Sequence, residues 1–262
     1  MNARFGMPKT KTLIVTALTT IAAASALAPA SAAADPAPGR SEHWGVITRN
    51  TIGSPVADLR NGPFGKYDVQ GPSARPPYGV GSLGIEVADS SVAAGDAREK
   101  VDFGNEVDFH GDPVLGLNRL GFHVFQSGEN VTYGGPRNMP NIRFEIDANL
   151  STVPATDNYT SLVWSPPAAP VTDRWSGYIN ATNSGTWYLT GAEGTATGCT
   201  QLSPCSFADV KTRLNDGGAA PVILTVAVGY GRDSMWVGAV DGLRINQNVY
   251  DFEADGVRVH RD

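Results

Sequence analysis

Ile142-Arg143-Phe144-Glu145-Ile146-Asp147 alternates strictly between apolar and charged side chains. An extended chain repeats every two residues, so Ile142, Phe144 and Ile146 share one face of a strand while Arg143, Glu145 and Asp147 share the other. The same pattern recurs on either side. Val101-Asp102-Phe103 and Glu106-Val107-Asp108-Phe109-His110 read as parts of one stretch. Further strands are expected at His43–Arg49, Ser82–Ala88, Leu120–Gln126, Ser161–Trp164, Gly185–Leu189, Val222–Val228, Met235–Ile245 and Val257–His260. Turn chemistry separates them at Asn61-Gly62, Ser127-Gly128, Gly134-Gly135-Pro136, Ser184-Gly185 and Asp216-Gly217-Gly218. With 30 glycines and 18 prolines, long helices have little room. One short helix is expected at Ser206–Leu214, with Ser206 as its cap and Asp209 in its first turn.

Many short antiparallel strands joined by longer loops specify an all-β, two-sheet β-sandwich with at most one or two short helices. A jelly roll of the lectin or glucanase sort suits the pattern. Gly229 to Glu253 also resembles the closing strands of secreted bacterial concanavalin-like modules, a likeness of fold rather than activity.

Export is written at the N-terminus. Arg4, Lys9 and Lys11 precede an uncharged stretch from Thr12 to Ala28, and Ala30-Ser31-Ala32 and Ala32-Ala33-Ala34 both fit the small-x-small cleavage rule. Residues 1–34 therefore read as a cleaved signal peptide, 35–41 as a flexible new N-terminus and 42–262 as a single β-sandwich domain, secreted and monomeric. The apolar stretch is 17 residues long and diluted by Thr and Ser, too short and too polar for a stable membrane span. Removing it leaves 17 basic against 26 acidic residues, a net charge of −9. Such a surface, with no Lys/Arg cluster longer than an isolated pair, disfavours a phosphate backbone as partner, so no nucleic acid is expected. Cys199 and Cys205, six positions apart, are expected to form a structural disulfide in an oxidising compartment. Two thiols with no histidine nearby make a poor zinc site, and the spacing is not that of a redox pair.

Candidate chemistry lies on the polar strand faces. Alternation puts Glu106, Asp108 and His110 on one side of a strand, close enough to share a proton or a substrate, although a solvated sheet face has the same pattern. Glu145-Ile146-Asp147-Ala148-Asn149-Leu150 resembles the Glu-x-Asp-x-x-Glu strand of jelly-roll β-glucanases, but Leu150 stands where the second carboxylate belongs. Gly79-Val80-Gly81-Ser82-Leu83-Gly84 misses the nucleophile-elbow spacing by one residue. Trp187 and Trp236 are candidates, with Glu145 and Asp147, for stacking on and hydrogen-bonding a ligand.

A second resemblance rests on three segments. They are His43-Trp44-Gly45-Val46-Ile47-Thr48-Arg49-Asn50-Thr51-Ile52-Gly53-Ser54-Pro55, Lys100 to Phe109 and Gly229 to Glu253. Together they look like a family of small secreted actinobacterial proteins described as cholesterol esterases. That likeness implies a carboxylic-ester hydrolase acting on a lipid ester substrate; the pair to activate a serine or water is then sought on the strand face read above, in Asp108 and His110, and not in the likeness. It brings no catalytic motif with it. The alternative is a non-catalytic module that binds an extracellular glycan on the face carrying Glu145, Asp147 and an exposed Trp. No cofactor is required in either case, with structural calcium at Asp-rich loops as an option. Intact mass and N-terminal sequencing of the exported protein should place its first residue at Ala33 or Asp35; an uncleaved Met1 would contradict the leader reading.

Overall fold

A computed structural model describes residues 39–88, 99–168 and 171–261. The expected signal peptide and the first four residues of the expected flexible segment lie outside the described residues. Along the chain run β1 (Trp44–Val46), β2 (Val56–Asn61), β3 (Gly81–Val87), β4 (Lys100–Asn105), β5 (Leu120–Gln126), α1 (Gly128–Gly134) and β6 (Asn141–Asp147). There follow β7 (Tyr159–Ser165), β8 (Ile179–Asn180), β9 (Thr186–Leu189), α2 (Gly191–Thr197) and α3 (Phe207–Leu214). Finally come β10 (Val222–Gly231), β11 (Trp236–Ile245), β12 (Asn248–Glu253) and β13 (Gly256–Arg261).

Two antiparallel sheets pack face to face, the all-β sandwich expected from the alternation. The first has the order β1-β4-β10-β6-β7-β9. In it Phe144 of β6 lies opposite Val226 of β10 on one side and Leu162 of β7 on the other. All three are buried, so a slip of one residue would drive three apolar side chains into water and bring three polar ones inside. The second sheet runs β13-β12-β11-β3-β2, with β5 on the other edge of β11 and β8 beyond it.

Strand β11 holds that sheet together by changing partners. Its residues 236–240 pair with β3 and its residues 243–245 pair with β12. Between them Gly242 takes φ +62, a left-handed conformation that glycine adopts without steric cost, and the register against β5 shifts at the same place.

Three large indoles fill the space between the sheets. Trp187 stacks on Phe144, Trp164 meets Phe122 edge-on, and Trp236 stacks on Tyr230. The polar edge of each finds an acceptor: Ala181 O for Trp187, Ser184 O for Trp164 and Gln126 Oε1 for Trp236.

Helix α3 begins as expected: the Ser206 hydroxyl accepts the Asp209 N–H and donates to the Asp209 carboxylate. Helices α1 and α2 bring the short α-helices among the described residues to three, one more than the upper bound expected. Each opens on a glycine and is only seven residues long, so no apolar 3.6-residue pattern announces it, and the Ser127-Gly128 pair expected to form a turn instead starts α1. Ser41, the last residue of the segment expected to be floppy, is buried and bonded through its N–H to Val257 O.

Cys199 and Cys205 are joined in a disulfide, and Trp187 pairs with Cys205 through two backbone hydrogen bonds. Replacing both cysteines by serine should lower unfolding free energy by about 2 kcal/mol through restored unfolded-chain entropy. Trp187→Ala should cost more, about 3–5 kcal/mol, because it empties the centre of the core. Urea unfolding of both variants would test that order.

Candidate functional site on the first sheet

Alternation along β6 sends Arg143, Glu145 and Asp147 to the outer face of the first sheet, as expected. Register then places Thr225 and Ser161 beside Glu145, Ala227 and Val163 beside Arg143, and Tyr159 beside Asp147. Tyr188 of β9 follows Val163 in the same row as Arg143. Small residues, Ala227 and Gly229 on β10 and Gly104 on β4, line the middle of this face.

Two ionic networks organise it. Asp102 of β4 is fully buried and receives both Arg143 and Lys100. Glu145, 2% exposed, is bound by Arg49, by Asn50 Nδ2 at 2.7 Å and by the Tyr159 hydroxyl. Arg49 also pairs with Glu106 and donates to Thr225 Oγ1 at 3.2 Å, so one guanidinium bridges two acids from distant parts of the chain. Burial alone would raise the Glu145 carboxyl, but the bonds from Asn50, Tyr159 and Arg49 outweigh it and hold the group below the usual range. Burial and the bond to Glu145 push the Tyr159 phenol up to about 12.

Glu106, Asp108 and His110 do not share a strand face. Strand β4 ends at Asn105, whose side-chain oxygen accepts the N–H groups of Val107 and Asp108 and bends the chain into a turn. The three side chains scatter. Glu106 goes to Arg49 and His110 is exposed. Asp108 bonds His43 Nδ1 at 2.5 Å, Ser41 Oγ at 2.9 Å and Asn105 Nδ2 at 2.8 Å. Burial raises its carboxyl, and the bonds from Asn105, His43 and Ser41 more than reverse that, leaving a carboxylate below its ordinary range. Histidine 43, not His110, is therefore the partner of Asp108. The serine does not complete a triad, since its hydroxyl is given to the carboxylate rather than to the imidazole. A cavity of about 260 Å³ beside Phe109 and Ile223 has none of Ser41, His43 or Asp108 in its wall.

Trp187 and Trp236 are both 0% exposed and cannot meet a ligand; alternation faces Trp187 inward and leaves Tyr188 as the half-buried outer ring. Ser82 is likewise buried, its hydroxyl donated to Gly62 O. Among the described residues no group of three or more acidic, histidine or cysteine side chains is arranged to hold a metal ion. No described helix is long and apolar enough to cross a membrane.

Comparison with known protein families, with curated proteins and with solved structures finds no match to this chain.

A second polar cluster sits on the outer face of the other sheet. Where β11 leaves β3 for β12, the fully buried Asp241 accepts Phe252 N at 3.1 Å and Tyr78 N at 3.0 Å, replacing missing ladder bonds. Asp251, also buried, holds His260 Nε2 at 3.0 Å, and the Tyr78 ring lies between His260 and His123. Desolvation pushes Asp241 up to about 7 despite its backbone donors, with Asp251 adding repulsion. The folded chain then keeps a proton that the unfolded chain has released, so this group's contribution to stability falls as pH rises from 3.8 to about 7. The stability advantage of the native chain over Asp241→Asn should shrink across that window by up to roughly 1.4 kcal/mol per pH unit. Urea midpoints taken along the pH series would show it, and a constant or widening gap would contradict the assignment.

Proposed function

We propose that this chain is a secreted binding module that holds a polar glycan on the outer face of its first sheet. The supporting observation is the row on that face: Arg143 and Asp147, with the buried Glu145 between them, flanked by Tyr159, 54% exposed, and half-buried Tyr188. Carboxylate, guanidinium and amide groups already locked by mutual hydrogen bonds cost little further entropy when a ligand arrives. Aromatic rings at the edge offer apolar faces for the C–H side of a sugar ring. Along the sheet, four residues and one strand separate the positions of Tyr159 and Tyr188, about 14 Å, which suits an extended oligosaccharide rather than a single ring.

A second reading, a carboxylic-ester hydrolase of the cholesterol-esterase type, is favoured by one observation, the His43–Asp108 pair. If Nδ1–H of His43 donates to the carboxylate, Nε2 is left as a proton acceptor, the arrangement that a general base on water requires.

The two readings separate in one set of measurements. Purified exported protein is tested for retention on insoluble polysaccharides, for binding of soluble oligosaccharides by calorimetry, and for turnover of p-nitrophenyl and cholesteryl esters. For the binding module, Tyr188→Ala should weaken oligosaccharide affinity about tenfold, near 1.4 kcal/mol, while His43→Ala leaves it unchanged. Ester turnover lost in His43→Ala, with no retention on any polysaccharide, would replace the first reading by the second.

A further inference from the structure

On the other layer of the sandwich, the loop after β2 and the start of α1 border a cavity of about 570 Å³ that is open to the surface. Its polar lining comes from three separate parts of the chain: Lys66 and Tyr67, then Ser127, Glu129 and Thr132, then Asp173. The volume falls within the range of small-molecule sites, about 300–1,000 Å³. Gly65 at its wall is pressed against the β11 backbone, where a Cβ would lie 2.9 Å from Val237 O, so the loop is seated directly on the second sheet.

The groups are set rather than scattered. Asp173 occupies a left-handed conformation, φ +61, and its N–H is tied to Gln126 O at 2.8 Å. Its carboxylate holds the Lys66 ammonium at 3.2 Å, and Asp68 stands 3.9 Å from the same ammonium. Beside this pair the Tyr67 ring is 89% exposed, an aromatic face left in water at the mouth of a polar cavity. Burying such a ring against another surface would be favourable, and within the fold it stays uncovered.

We propose that this cavity is a second ligand site, for one neutral pyranose ring. The chemistry selects that class. Asp173 and Glu129 accept hydrogen bonds from hydroxyls, Lys66 donates, the Ser127 hydroxyl can do either, the Thr132 hydroxyl, which donates to Gly128 O at 3.1 Å, can accept, and Tyr67 covers the C–H face. An anionic ligand would meet two carboxylates against one ammonium, and a purely apolar one would strand the charged pair without water. The site lies on the opposite layer from the Tyr159–Tyr188 row and uses none of its residues, so it stands whether or not that row binds a glycan. If both bind, a single domain holds polysaccharide at two points, and their linkage raises retention beyond either affinity alone.

Amide chemical-shift mapping of the full exported protein tests this, with methyl β-glucopyranoside, methyl α-mannopyranoside and N-acetylglucosamine as probes. At least one should produce saturable shifts at Gly65, Gly128 and Thr132, weakened at least tenfold by Tyr67→Ala and by Glu129→Gln, two exposed substitutions that leave the rest of the spectrum unchanged. Still amides at these positions with every probe up to its solubility limit would overturn the proposal, as would shifts that persist in Tyr67→Ala. Shifts confined to Glu145 and Tyr188 would reject this cavity; shifts confined to Gly65, Gly128 and Thr132 would support it and leave the sheet face to the oligosaccharide measurement.

Discussion

Strand β10 is paired along both edges, with β4 and with β6, and it turns Val226, Val228 and Tyr230 into the core. This confinement sets the register of the first sheet. Once Val226 faces Phe144, the outer positions follow: Thr225 beside Glu145, Ala227 beside Arg143, Gly229 between Asp102 and Asn141. A polar face on a sheet is only as ordered as the register beneath it, and here the register is held by residues from which water is excluded.

On that platform the charges are arranged by contacts that no single strand could make. Arg49 reaches the face from the turn after β1 and joins Glu106, Glu145 and Thr225, closing one end of the row. Arg143 leans across β10 toward Asp102. Buried acids of this kind are costly unless paired, and truncating one partner exposes that cost in full. Their pairing is therefore weak evidence of added stability, although breaking it would be costly.

The strands were legible because burial on one face imposes a two-residue period on the chain, which is why β5, β6, β7 and β11 fall where the pattern puts them. Strand β2 was not, since Val56-Ala57-Asp58-Leu59-Arg60-Asn61 sits at a sheet edge with its apolar residues only partly covered and its alternation diluted. The proposed Glu106–Asp108–His110 face failed for a local reason. Asn105 can satisfy the next two backbone N–H groups with its own side chain, and that Asx turn competed successfully with continued extension. An asparagine followed by Glu-Val-Asp was the available signal. Trp187 misled in another way, because alternation says that one of Trp187 and Tyr188 is inside without saying which, while Trp236, between Met235 and Val237, went to the core face of β11.

From the sequence alone came the sandwich class, the polar face of β6, the capped helix α3 and the pairing of Cys199 with Cys205, all consequences of local periodicity or short-range covalent and capping chemistry. Tertiary structure alone decided that His43 rather than His110 meets Asp108, that Arg49 bridges Glu106 and Glu145, and that Lys66, Glu129 and Asp173 surround one cavity. Each of those meetings joins residues far apart in the chain. Such neighbours are set by how the sheets and their loops pack, and no spacing along the sequence encodes them.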